Sequence, residues 1–132
     1  MGQGNTYDLT VKKWGHARKV WREVKSQYPS GGTIENVADW ASAGIIPAGT
    51  PAKFDMATKK VTAYTQAQIT DGDVASLGIN GYTQEDVVIS GENAICSATV
   101  VYAGEIYEYM FEEAVASALK QVTTTPQIVW VR

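Results

Sequence analysis

Residues 44–64 read GIIPAGTPAKFDMATKKVTAY and contain the clearest local indications of the fold. Pro47 and Pro51 hold the residues before them in extended conformations and cannot donate a backbone hydrogen bond. The first part of the stretch therefore predicts an edge strand or the start of a strand. Residues 54–64 predict a β-hairpin whose turn is residues 56–59. Both features favour a β-rich body.

The residues that follow this hairpin continue the β pattern. Asn80 and Gly81 form a strong turn signal. Residues 86–90 and 94–102 are rich in β-branched residues, which predicts further strands. The terminal residues 127–132, QIVWVR, follow a proline and predict one more strand.

One amphipathic helix is predicted over residues 107–120. Its apolar residues recur at alternating intervals of three and one, which is typical of one buried helix face. Acidic residues come early and Lys120 comes late, which suits the helix dipole. The polar residues 66–76 predict a surface loop or a short helix. The buried face of the main helix is expected to contain Tyr107, Met110, Phe111, Val115 and Leu119.

These patterns predict a mainly β fold of the α+β kind. We expect a compact β-sandwich or barrel-like body with one amphipathic C-terminal helix and a basic N-terminal arm. The 132 residues, 45% of them hydrophobic, suffice for one domain with its own core. The arm is expected to be residues 1–32, partly helical, and the β-rich domain residues 33–132.

The arm and the body differ in charge. Residues 1–30 contain six basic and two acidic residues, a net charge of +4, whereas residues 31–132 contain five basic and twelve acidic residues, a net charge of −7. From residue 14 onward, the apolar residues of 9–28 follow helical spacing and predict a helix. The alternation in residues 20–24 favours a strand instead. A basic arm of this kind is typical either of docking to an acidic surface or of an ordinary solvated face.

Few residues point to catalysis. The single Cys96 excludes an internal disulfide and lies in a predicted strand, where a buried role is expected. The single His16 has no nearby nucleophile or acid in the sequence. One histidine and one cysteine exclude the classical zinc sites. We therefore predict no catalytic residue, no cofactor site and no metal site.

Three alternatives remain open at this point. Glu108 and Glu112 are four residues apart on the predicted helix, so a small enzyme could use them as acid and base. The arm could instead bind another protein, or it could bind nucleic acid by stacking Trp14 and Trp21 on bases. The acidic body argues against nucleic acid, and no apolar run is long enough to span a membrane.

Several short motifs in the body resemble a known family. They are Gly44-Ile-Ile-Pro-Ala-Gly-Thr-Pro51, Lys53-Phe-Asp55, Tyr82-Thr-Gln-Glu-Asp-Val-Val88, Ala98-Thr-Val-Val-Tyr-Ala-Gly-Glu-Ile-Tyr107 and Pro126-Gln-Ile-Val-Trp-Val131. Their order resembles the head decoration and head fibre proteins of tailed bacteriophages, including phages of gut Bacteroides. The resemblance covers residues 44–132. The sequence contains no long fibre-forming extension, which favours a compact decoration protein.

The resemblance implies a non-enzymatic virion protein that binds the outer surface of the phage head. Its partners would be the major capsid protein and further copies of itself, as a homotrimer, without nucleic acid or membrane. The expected locations are the capsid surface and, during assembly, the host cytoplasm. If the arm is not the anchor, residues 44–54 are the next candidate face. The arm residues expected to dock onto capsid or subunit are Lys12, Trp14, Lys19, Trp21 and Arg22.

Overall fold

The computed structural model describes residues 20–29, 31–122 and 127–132. The chain is mainly β, with a curled half-barrel sheet and two α-helices, which confirms the expected α+β class. The strands within the described ranges are β1 (Trp21–Gln27), β2 (Gly32–Ile34), β3 (Ile45–Ile46), β4 (Pro51–Asp55), β5 (Lys60–Ala63), β6 (Gly81–Thr83), β7 (Val87–Val88), β8 (Ser97–Ala98), β9 (Val100–Tyr107) and β10 (Ile128–Val131). The helices there are α1 (Gln66–Asp71), α2 (Glu113–Leu119) and the 3-10 helices Val37–Trp40, Val74–Leu77 and Glu108–Met110.

The sheet is organised around the long strand β9. In the part of the chain that the structure describes, eight strands form one sheet in the order β10–β9–β6–β4–β5–β2–β8, with β1 also paired to β9. Val101 is opposite both Gln27 and Tyr82, so β1 lies along one edge of β9 and β6 lies along the other. The strand β10 takes the C-terminal part of that second edge. A separate pair joins β3 to β7.

The hairpin predicted from residues 54–64 is confirmed. β4 and β5 pair antiparallel from Ala52 opposite Ala63 to Asp55 opposite Lys60. The carboxylate of Asp55 accepts hydrogen bonds from the backbone N–H groups of Ala57 at 2.9 Å and Thr58 at 3.3 Å, and these bonds lower the pKa of Asp55. This side chain therefore fixes the turn that the sequence indicated.

The terminal strand is confirmed as well. β10 runs parallel to β9, with Gly104 opposite Ile128 and Tyr107 opposite Val131. Two parallel neighbours need a crossover connection, and α2 lies in it. About the last quarter of the chain therefore forms a strand–helix–strand unit.

The helix predicted over residues 107–120 begins later than expected. Tyr107 is the last residue of β9, a 3-10 turn follows, and α2 starts at Glu113. Of the expected buried face, Val115 and Leu119 are buried, whereas the other three side chains are only partly buried. The apolar spacing before residue 113 belongs to a strand end and a tight turn, which repeat every two or three residues. A second α-helix, α1, takes the polar stretch.

The helix predicted over residues 9–28 is wrong for its described part. Residues Trp21–Gln27 form strand β1, as the alternative interpretation of residues 20–24 had it. Residues 9–19 lie outside the described residues. The arm that the sequence separated from the body thus contributes a strand to the main sheet, because β1 pairs with β9 from Val101 to Ile106.

The core has two hydrophobic clusters. One contains Trp21, Ile69, Val115, Leu119 and other buried residues, and lies between β9 and both α-helices. The other lies around the β4–β5 hairpin and contains Trp40, Ile46, Phe54, Val61 and Val100 among others. The space between the first 3-10 helix and α2 leads to the candidate site.

Candidate docking groove

A groove of about 420 Å³ opens where the two core clusters meet the surface. Its walls are residues 39–43 at the end of the first 3-10 helix, the loop 47–51, residues 64–67 at the start of α1, and Met110 to Phe111 before α2. The sequence separates these segments by tens of residues, but the fold brings them together. Their lining is largely apolar, which is typical of a binding groove.

The loop 47–51 is held rigidly by its neighbours. Gly49 N–H donates to the carbonyl of Thr83 at 2.8 Å, and Thr83 N–H donates to the carbonyl of Thr50 at 2.9 Å. The Thr83 hydroxyl donates to the carbonyl of Pro47 at 3.0 Å, and Ala48 N–H donates to Asp86 Oδ1 at 2.7 Å. The resemblance motif at 44–51 is therefore tied to the motif at 82–88.

Gly49 allows the loop to pass close to the start of the described chain. It has φ of 83°, in the left-handed region that favours glycine. A Cβ there would lie 2.5 Å from Cγ1 of Val20 and 3.3 Å from the ring of Phe111. This wall of the groove thus has backbone, a buried aliphatic side chain and an aromatic ring in close packing.

The opposite wall is built by the start of α1. Thr65 and Gln68 form a reciprocal capping box, which fixes where that helix begins. The Tyr64 hydroxyl donates to the carbonyl of Leu77 at 2.6 Å, and burial raises the pKa of the Tyr64 hydroxyl. The Trp40 indole N–H donates to the carbonyl of Ala63 at 3.1 Å. Both aromatic rings are therefore held in place at the groove.

The groove is acidic at its rim. Among the described residues that line it, the one charged side chain is Asp39, which is exposed and accepts a hydrogen bond from Asn36 at 3.1 Å. Glu113 lines a separate cavity together with Arg132 and is not part of this groove. An apolar floor with one acidic residue at its rim suits an apolar ligand that carries positive charge.

The docking residues predicted from the sequence do not form one surface in the described chain. Trp21 is only 8% exposed, and its indole N–H donates to the carbonyl of Thr83 at 3.0 Å. Trp21 is thus a core side chain, and its prediction as a docking contact is wrong. Arg22 is exposed and forms an ion pair with Glu105. Lys12, Trp14 and Lys19 lie outside the described residues.

The two carboxylates considered as an acid and base pair, Glu108 and Glu112, do not lie together on one helix. Glu108 lies in a 3-10 turn and Glu112 precedes α2, so the two do not share a helix face. Glu108 forms an ion pair with Lys120 at 2.6 Å, and this hydrogen bond lowers the pKa of Glu108. An acid held in its charged form by a lysine is a poor general acid at neutral pH.

The groove was missed because its lining residues are ordinary apolar and small residues. The signal available in the sequence was the proline-flanked loop, which did mark residues 44–54 as a second candidate face. Across the described ranges, no group of three His, Cys, Asp or Glu side chains could hold a metal ion. No helix in those ranges is long and apolar enough to cross a membrane. No protein-family model and no curated protein sequence matches the chain.

Proposed function

We propose that this protein is a non-enzymatic decoration protein that binds the outer surface of a tailed-phage head. The observation that carries the proposal is that the motifs resembling that family make contact with one another. The loop 44–51 is hydrogen-bonded to residues 82–88, and β9, which holds the motif at 98–107, pairs with both Tyr82 and Ile128. The motifs therefore belong to one packed unit and are not scattered.

The charge distribution supports docking through the N-terminal segment. Residues 31–132 carry a net charge of −7, so the basic side chains of residues 1–30 are concentrated at one end of an acidic chain. Opposite charges on two surfaces speed association and orient the partners more than they add affinity. With Trp21 buried and Arg22 paired, Lys12, Trp14 and Lys19 remain as the proposed capsid contacts.

The test is binding of purified protein to undecorated phage heads at two salt concentrations. Reversing the charge at Lys12 and Lys19 should slow association at low salt and flatten its salt dependence, because the Debye length is only about 8 Å at physiological ionic strength. The matched control reverses Lys59 and Lys60, two exposed lysines at the turn end of the β4–β5 hairpin and outside residues 44–54. Heads that bind neither the parent protein nor either variant would contradict the proposed function.

Self-association as a homotrimer is part of the proposal. The resemblance implies it, and Tyr109 is an exposed aromatic side chain of the kind that protein interfaces favour. Light scattering across a concentration series should give three times the chain mass of 14.3 kDa. A mass of one chain at every micromolar concentration would contradict the trimer and leave head binding to be judged separately.

A further inference from the structure

The described chain begins at the edge of the groove. Val20 is buried, and its carbonyl accepts a hydrogen bond from Tyr107 N–H at 2.8 Å. Its side chain packs against Gly49, which lines the groove. The polypeptide that precedes Val20 is therefore attached within one residue of the groove wall. A segment attached there needs no long linker to reach the groove.

The chemistry of that preceding segment complements the groove. Residues 9–19, LTVKKWGHARK, contain four basic residues and no acidic residue, and their largest apolar side chain is Trp14. The groove offers an apolar lining with the acidic Asp39 at its rim, and no lysine or arginine is among its described lining residues. Eleven residues can span up to about 36 Å when extended, so length does not limit the reach.

We propose that residues 9–19 of the same chain occupy this groove, with the side chain of Trp14 inserted between Phe111 and the first 3-10 helix. Basic residues on either side of Trp14 then lie near Asp39 and the start of α2. The occupant is chosen over a second copy because the attachment point adjoins the groove. This inference concerns the free protein and does not depend on the proposed phage function.

Because residues 9–19 are covalently attached next to the groove, even weak binding to the groove is enough to keep it occupied. A short covalent connection gives an effective concentration of the order of millimolar. A groove that binds the isolated segment with a dissociation constant of about 0.1 mM would then be occupied about nine-tenths of the time. Modest apolar contact around one indole ring is enough for an affinity of that order. The groove is thus expected to be filled in the free protein.

The experiment places a photo-crosslinker at the tryptophan of the full chain, as Trp14→p-benzoylphenylalanine. After irradiation, mass spectrometry should find the main adducts on residues 39–51, 64–67 or 110–115 of the same molecule. Irradiating a mixture of ¹⁵N-labelled and unlabelled chains distinguishes the occupants. Adducts that join peptides of one label support the proposal. Mixed-label adducts would replace it with a second copy, and adducts elsewhere or none would overturn it.

A groove-filling variant and its control test whether the groove is what holds the segment. Ala67 is exposed and lines the groove, whereas Ala75 is exposed on the second 3-10 helix and does not line it. Ala67→Trp in the photo-crosslinking background should reduce the adduct yield at least fivefold, and Ala75→Trp should leave it unchanged. Urea unfolding of both variants checks that each remains folded. Equal adduct yields from both folded variants would overturn the proposal.

Discussion

Two strands flank the C-terminal half of β9, and the sequence predicted only one of them correctly. Gly104 is opposite Val24 of β1 on one side and opposite Ile128 of β10 on the other. β10 reads IVWV, so every residue favours a strand. β1 reads WREVKSQ, with charges throughout, and its spacing fitted a helix. The strand state of β10 is indicated locally, whereas that of β1 depends on its pairing with β9.

An irregularity in β1 explains why its pattern looked helical. Glu105 is opposite Glu23, but the next residue, Ile106, is opposite Trp21, so Arg22 is an extra residue in the ladder. A bulge of this kind shifts the alternation by one position. Trp21 is therefore buried together with the half-buried Val24, and their separation of three residues imitates one helix face. The spacing of buried residues in a bulged strand cannot be distinguished from helical spacing unless the partner strand is known.

The largest expected effect comes from removing strand β10. Deleting residues 126–132 should abolish cooperative unfolding, because it removes the parallel partner of β9 and the buried Ile128. Circular dichroism during urea unfolding measures this. A control chain that keeps the strand and lacks only Arg132 should unfold like the parent protein. A sigmoidal transition at the parental midpoint after the longer deletion would contradict the structural role of β10.

The next effect compares the tryptophans of the two strands. Trp21→Ala should lower the free energy of unfolding by about 3–5 kcal/mol, because a large enclosed side chain leaves a cavity. Trp130→Ala should cost less, since Trp130 is only partly buried and contacts Phe111 and Tyr82 edge-on. Trp21→Phe isolates the indole hydrogen bond to Thr83, with an expected cost of about 1 kcal/mol beyond the loss of ring volume. An equal or smaller loss for Trp21→Ala than for Trp130→Ala would mean that β1 is not an integral strand.

A smaller effect is expected from Gly104→Ala, which should destabilise the pairing of β1 and leave that of β10 intact. A Cβ on Gly104 would lie 2.5 Å from the carbonyl oxygen of Glu23 and 3.2 Å from the ring of Trp21. Gly104→Ala must therefore push β1 away, at a cost of about 1–3 kcal/mol. Hydrogen exchange should accelerate in β1 more than in β10. Ala103→Gly is the neighbouring control for backbone flexibility, and uniform acceleration in both strands would contradict the local account.

The parts of the fold that could be predicted are those with a local signal. The hairpin of β4 and β5 has a turn fixed by Asp55, and β10 has an unbroken run of strand-forming residues. The late start of α2 could not be predicted, because the apolar residues before Glu113 belong to a strand end and a 3-10 turn with similar spacing. The spacing of apolar residues identifies a helix or a strand only where a single regular structure explains that spacing.

The candidate groove lay beyond prediction for a different reason. Trp40, Gly49, Tyr64 and Phe111 come from four separate segments, and none of them carries a reactive group that would mark a site. What makes them a groove is the packing of loop 47–51 against Thr83 and Val20, which no local pattern encodes. The proline-flanked loop forms one wall of the groove, and only tertiary structure adds the other walls.

The smallest expected effect is the pH dependence of stability that arises from the ion pair Glu108–Lys120. The pair Glu108–Lys120 links the 3-10 turn after β9 to the C-terminal end of α2, and it lowers the pKa of Glu108 below that of an ordinary glutamate. Because the pKa of Glu108 is lowered in the folded protein, the stabilisation from its ion pair is complete above the unfolded-state pKa of about 4.3. It is lost as the pH falls through the folded-state pKa of Glu108. The pair Arg22–Glu105 links β1 to β9 instead. Acidification through the lowered pKa of Glu108 should therefore remove the contribution of this ion pair, Glu108–Lys120.

The measurement is the urea midpoint of the parent protein and of Glu108→Gln between pH 7 and pH 3. The variant should have the lower midpoint at pH 7, and the difference should shrink as the pH falls through the lowered pKa of Glu108, below which Glu108 is neutral in both states. Because Lys120 is exposed and Glu108 is partly exposed, solvent screens this ion pair, so the difference should be the smallest of the four and should shrink in high salt. Glu92→Gln, an exposed position between β7 and β8, controls for the change in net charge. A midpoint difference that persists unchanged at pH 3 would show that the substitution acts through packing and not through the ion pair.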